Sequence, residues 1–190
     1  MAPKILIVDL ESTRDLVDSK IIRPTDLGAV LVSVEHRSII QACSTLIPIQ
    51  APRMRQRRSR INVALTRQVE RTDLAIAMFC AMAEEADYLV SHGKFDSQFF
   101  AGDPNHHPLP LVERLWIDSL SVDWGIGRGA ALKVQCRHHG ITNICPHRAL
   151  ADAMALSQCL CAGSNLEALL ESGIRYISKA LLPSSAPRKP

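Results

Sequence analysis

Aromatic residues are scarce, at 4% of 190 positions. That leaves too few rings for a base-stacking surface of the kind single-strand binders use, and Phe95, Phe99, Trp116 and Trp124 are read as core. No apolar run approaches the roughly 18 residues of a membrane span. The run at 5–8 is closed by Asp9 and Glu11, so it does not read as a signal-peptide core either. A cytoplasmic protein without a membrane partner is expected. The six cysteines form no compact disulfide framework. Cys159 and Cys161 are too close along an expected helix to bridge, and a chain of this length can bury a core without staples. Among Cys136, His138, His139, Cys145 and His147 no pair has C-x₂-C or H-x₃-H spacing, which makes structural zinc the weaker reading. Internal repeats are absent.

An excess of one charge sign is also nearly absent, with 22 basic against 19 acidic residues. What excess exists is local. Arg53, Arg55, Arg57, Arg58 and Arg60 crowd one stretch, and without them 17 basic residues face 19 acidic ones. Two readings of this stretch stay open. It is a solvated loop, or it contacts phosphates, in which case Arg55, Arg57 and Arg58 are the candidate nucleic-acid ligands.

Hydrophobic residues make up 47% of the chain, an ordinary globular share. Short β-favouring runs predict strands over 4–8, 28–34 and 38–46, the last two joined by a hairpin turn at 35–37. Residues 48–60 read as a loop. Helices are predicted over 62–70 and 73–86, with Asp73 as a cap. A strand over 87–91 leads into a short helix from about 95, and prolines at 104, 108 and 110 mark another loop. A fifth strand is predicted at 115–117, then helices over 130–139, 148–162 and 165–171. This order predicts an α/β domain over residues 1–172: a mixed sheet of about five strands, opening with an antiparallel meander and flanked by helices. Residues 173–190 are expected to form a C-terminal extension with a disordered end.

The chemistry-bearing pattern is a set of acids. Asp9 and Glu11 follow the first strand at i, i+2 spacing, which points both side chains to one face. Two like charges there are unfavourable without a cation, although a solvated strand end also accommodates them. Asp96 follows the strand at 87–91 and could equally be a helix cap. Asp152 lies in the first turns of the helix over 148–162. His147, five residues earlier, would stand about 140° away on a straight helix. Pro146 marks a helix entry, so His147 can belong to the preceding loop and swing over the acids. Oxygen ligands of this kind suit hard divalent cations. Asp118 reads as capping the segment after its strand, Asp123 as a non-ligand, and Asp26 as a supporting residue.

Four segments together resemble a known family: Ile7-Val8-Asp9-Leu10-Glu11-Ser12-Thr13, Asp26-Leu27-Gly28-Ala29-Val30, Val90-Ser91-His92-Gly93-Lys94-Phe95-Asp96 and His147-Arg148-Ala149-Leu150-Ala151-Asp152. The chain is similar over about residues 4–162 to the DEDDh, or DnaQ-like, 3′–5′ exonucleases, which have a ribonuclease H-like fold. The resemblance implies that Asp9, Glu11, Asp96 and Asp152 hold two Mg²⁺ or Mn²⁺ ions and that His147 is the general base. It implies release of nucleoside 5′-monophosphates from single-stranded DNA or RNA 3′ ends, with Ser12 and Thr13 near the terminal nucleotide. The family's second motif commonly opens His-Asn, where this chain has Ser91-His92-Gly93, and contacts near the leaving nucleotide stay open there. A stand-alone enzyme is expected, with recruitment by a larger nucleic-acid-processing machine or a homodimer left open. The rival function is a non-catalytic nucleic-acid-binding or adaptor module on the same fold.

Overall fold

Alternation along the first strand decides the layout. The computed structural model describes residues 2–14, 22–48, 72–101, 109 and 112–177. In strand β1 (Lys4–Arg14), Leu6, Val8 and Leu10 face one core while Ile5 and Ile7 face another. Such a strand, buried on both faces, belongs at the centre of a sheet. It lies between β2 (Ile22–Ser33) and β4 (Tyr88–Ser91), in a sheet completed by β3 (Ser38–Leu46), β5 (Leu115–Asp118) and β6 (Ile174–Ile177) in the order β3-β2-β1-β4-β5-β6. The opening meander β1-β2-β3 is antiparallel, β4 and β5 run parallel to β1, and β6 is antiparallel to β5.

This is the expected mixed sheet, with one strand more. β6 lies in the segment that the sequence sets apart as an extension, and it pairs Ile174–Ile177 with Leu115–Asp118. Ile174–Ile177 is too short a run to declare a strand by itself, and the pairing is decided by β5 rather than locally. β1 is also longer than expected, so Asp9 and Glu11 lie within it rather than beyond its end. Its parallel pairing with β4 stops at Ile7↔Val90, whereas its antiparallel pairing with β2 continues to Arg14↔Ile22. Among the described residues, the polar half of β1 has β2 as its strand partner. The arginine-rich stretch at 53–60, the helix expected over 62–70, the proline positions 104, 108 and 110 and the end of the chain lie outside the described residues.

One face of the sheet is covered by α1 (Thr72–Glu85) and a 3₁₀ turn (Asp96–Phe100). Asp73 falls within the first turn of α1, not at its cap. Phe79 stacks on Phe100, whose ring in turn lies 5.7 Å from that of the fully buried Trp116. The other face carries α2 (Leu132–His138), α3 (Ala149–Cys161) and α4 (Asn165–Ser172). Here Ala153, Leu156, Cys159, Leu160, Leu166 and Leu169 close over Ile5, Ile7, Val30 and Val32. No helix among the described residues is long and apolar enough to cross a membrane.

The seat of α3 on the sheet is unusually close. A Cβ on Gly28 would lie 2.2 Å from the Leu150 nitrogen and 2.3 Å from the Ala149 carbonyl carbon. Both are backbone atoms that no rotamer change can move, so the first turn of α3 touches β2 only because residue 28 has no side chain. Gly28→Ala must lift the helix start off the strand. Overpacking of this sort costs about 1–3 kcal/mol, and urea unfolding of the variant should show a loss of that size. Wild-type stability in Gly28→Ala would mean that α3 is not seated this closely.

Candidate active site

Asp9 and Glu11 continue the Ile5, Ile7 alternation, so both point to the face that α3 covers. Gly28 is the cross-strand partner of Asp9, and Asp26 that of Glu11. The close seat of α3 on Gly28 therefore sets Asp152, in the first turn of that helix, over the two acids of β1. Asp96 arrives from the neighbouring side, at the start of the 3₁₀ turn that follows β4. Asp96 is 9% exposed. The four acids are close enough to act on one another. Burial first, and then the charges of Asp96, Asp152, Glu11 and Asp26, hold the Asp9 carboxyl well above the usual range. Burial, with Glu11 as the leading charge, pushes Asp96 up to about 8, opposed by a hydrogen bond from the Leu10 backbone. Glu11 is raised by burial and then by Asp152, while His147 and Arg148 pull it back.

His147 completes the group. Its Nδ1 lies 4.0 Å from Glu11 Oε1 and its side chain is 63% exposed. One ligand atom each from Glu11, His147 and Asp152 lie within 4.8 Å of one another. The backbone of His147 has φ 65°, a left-handed conformation that is costly for a residue with a side chain. Two contacts hold it there. Its N–H donates to Asp152 Oδ2 at 3.0 Å, and the Asn143 amide donates to Asp152 Oδ1. Cys145 N–H donates back to Asn143 Oδ1 at 3.2 Å. Asp152 thus organises the loop that carries His147, and the Pro146 entry places His147 outside the helix, as its sequence position requires.

Asp26 is 2% exposed and belongs to a different job. Its Oδ2 accepts Arg148 Nε at 2.9 Å and the Ala149 N–H at 3.2 Å, so it caps the first turn of α3 from the sheet. A β-bulge separates Glu11 from Ser12, with Thr25 Oγ1 donating to the Glu11 carbonyl at 3.0 Å. Bulges of this kind re-aim a side chain. Ser12 and Thr13 follow on the far side of the bulge, opposite Pro24 and Arg23. Arg55, Arg57 and Arg58 lie outside the described residues.

Asp118 and Asp123 bond backbone groups of adjoining loops. Asp118 Oδ1 accepts the N–H groups of Gly93 and Leu120, and Asp123 Oδ1 those of Gly125 and Gly127. The Ser91-His92-Gly93 departure builds a turn of its own. Gly93 has φ 104°, Ser91 Oγ donates to the Gly93 carbonyl, and His92 Nδ1 lies 2.9 Å from Ser119 Oγ. Cys136 Sγ faces Cys159 Sγ in the core, and His139 Nε2 meets the Asn165 amide. Sequence reasoning missed Asn143 and Thr25, which no local pattern marks. It quoted Arg148 inside a motif without giving it a role.

Comparison with solved structures gives the fold a context. The nuclease domain of 3′hExo, a DEDDh family member, bound to rAMP, matches with a TM-score of 0.70 at 13% identity, over 95% of this chain and 98% of that one. A 3′-exonuclease solved in 3′-end specific recognition of a histone mRNA stem-loop matches at 0.69 and 13%, over 96% and 93%. The cell-death related nuclease CRN-4 matches at 0.66 and 13%, over 93% and 67%. The sequence matches no family model and no curated protein sequence. At such identities the likeness establishes the fold: this chain has a ribonuclease H-like α/β architecture, shared with these nucleases.

The raised acids make stability depend on pH. Asp9 and Asp96 keep their protons to higher pH in the folded chain than in the unfolded one. The stabilisation this gives is complete below about pH 4 and is lost as pH rises toward 8, the value to which Asp96 is pushed. Without divalent ions the melting temperature should therefore fall between pH 5 and 8 in wild type, by about 2–4 °C for each kcal/mol lost in a domain of this size. Asp96→Asn should flatten that fall. An equal slope in both proteins would remove Asp96 from the cluster.

Proposed function

We propose that this protein is a metal-dependent 3′–5′ exonuclease that removes nucleoside 5′-monophosphates from single-stranded DNA or RNA. The observation that carries the reading is the meeting of Asp9, Glu11, Asp96 and Asp152, from three separate elements, with an exposed histidine beside them. A fold has little structural reason to gather four carboxylates when burial and neighbouring charge push Asp9, Glu11 and Asp96 toward protonation. Oxygen-rich sites of this kind fit hard divalent cations, and Mg²⁺ or Mn²⁺ would be held by these four acids. Two such ions supply charge stabilisation to the attacking and leaving oxygens of a phosphodiester displacement.

The chain's own residues do the rest. His147 takes the proton of the attacking water, as a general base. It stands at the solvent-facing side of the acids, on a loop whose conformation Asp152 fixes, so it can meet water arriving from outside. Ser12 and Thr13, beyond the bulge on β1, would line the terminal nucleotide. The basic stretch around Arg55, Arg57 and Arg58 would bind phosphates further along the strand.

The direct test uses single-stranded DNA and RNA labelled at the 5′ end or the 3′ end, incubated with Mg²⁺ or with EDTA. Stepwise shortening from the 3′ end with mononucleotide products, only with the metal, is expected. Cleavage of a circular single strand would point to an endonuclease. Tight binding without any cleavage would favour the non-catalytic adaptor module.

His147 offers a separate check. A general base contributes about 10²–10⁴-fold, so His147→Ala should lower turnover by that order. His147→Asn tolerates the left-handed backbone better and should lose as much. Recovery of activity in the Asn variant would mean that His147 matters for the loop conformation and not as a base.

A further inference from the structure

Arg148 stands in a quoted motif beside His147 without a catalytic role, and its contacts are specific. Its Nε donates to Asp26 Oδ2 at 2.9 Å, on a carboxylate that is 2% exposed, yet the arginine side chain itself is 44% exposed. A guanidinium carries five donors in a rigid fork. Among the described residues only the Nε donor is used, and neither Nη group makes a hydrogen bond. The buried end of the fork is clamped and the outer end is free. That is a preorganised donor pair, whose orientation costs little entropy when an anion arrives.

The arginine stands beside the acids. Arg148 directly follows His147, Asp26 is the cross-strand partner of Glu11, and Arg148 and Glu11 each respond to the other's charge. Lys94, in the turn before Asp96, has its Nζ over the Tyr176 ring, 5.4 Å from the centroid. A nucleic-acid strand entering this site must bring its phosphates up to a wall of carboxylates. A planar fork suits two phosphate oxygens better than a point charge does.

We propose that Arg148 is a substrate-binding residue whose two Nη groups hold a phosphodiester of the bound single strand next to Glu11 and His147, with Asp26 as the anchor that aims it. This rests on the nuclease reading above. The bland rival is that Arg148 only neutralises Asp26 and pins α3.

The test measures binding, not turnover. The probe is a single-stranded oligonucleotide whose 3′-terminal linkage is a phosphorothioate, titrated by fluorescence anisotropy in Mg²⁺ over a series of salt concentrations. Arg148→Gln removes the fork but strands a buried Asp26 charge, which can unfold the protein. The double variant Asp26→Asn with Arg148→Gln removes both charges and leaves the net charge unchanged. The amide oxygen that replaces the Asp26 carboxylate can still accept the Ala149 N–H. In either folded variant the affinity should fall about tenfold. The slope of log affinity against log salt should lessen by about 0.7, one phosphate contact on a single strand. A folded double variant that keeps the wild-type affinity and slope would overturn the proposal and leave Arg148 as an anchor. If the wild type itself fails to bind the probe, the nuclease reading falls and this one with it.

Discussion

Carboxylates that repel one another must be held together by something stronger than they are, and here that is the seating of α3 on β2. The seat has an apolar part and a polar part. Ala153, Leu156, Cys159 and Leu160 bury against Ile5, Ile7, Val30 and Val32, and at about 25 cal/mol per Å² such burial is the dominant favourable term. Gly28 lets the first turn touch the strand, and Asp26 caps that turn from below. Asp152 is fixed relative to Asp9 by this one contact. His147 is fixed in turn through its amide bond to Asp152 and through Asn143. A shift of the helix start would move an acid, the loop and the histidine together.

The second constraint is where strand pairing stops. β1 and β4 run parallel, and their pairing ends at Ile7↔Val90, two residues before Asp9. Ligands in open α/β sheets bind in the crevice beyond the carboxyl ends of the strands. Asp9 and Glu11 line that crevice because β1 continues with β2 as its partner, and Asp96 enters it from the turn after β4. The turn is tightened by Asp118 at the end of β5, which accepts from Gly93. An acid that looks like a further ligand thus works on the backbone next to the site.

What could be read from the sequence follows from these two constraints. Alternation along β1 is local, so the shared face of Asp9 and Glu11 was legible. The helix over 148–162 declares itself by its apolar residues and by Gly163, and Pro146 explains why His147 leaves the helix. The polar end of β1 was not legible, since residues 11–14 lack a strand's apolar pattern and are held by β2 across the hairpin. β6 is a four-residue edge strand whose register is set by β5. Asn143 acts through two hydrogen bonds within its loop and helix start, and Thr25 through one to the Glu11 carbonyl at a bulge; no composition or period announces such bonds. Asp26 stood out as an acid near the others, but only its contacts separate an anchor from a ligand.

Asp26 also explains why an arginine stands beside the histidine. Cross-strand pairing puts Glu11 opposite Asp26 on one face of an antiparallel ladder, and like charges directly opposite destabilise a sheet. Asp26 cannot relieve this by facing solvent, because it is 2% exposed and caps α3. A cation has to sit between the helix start and the strand. A lysine would neutralise the charge but could not bond Asp26 through an inner nitrogen and still present donors outward. Arginine can, since its planar guanidinium presents Nε–H on a side edge and a second pair of donors on the end edge between the two Nη groups. The requirement set by the fold, a buried cap beside an acid of the site, therefore selects the side chain that also has donors to spare for a phosphate.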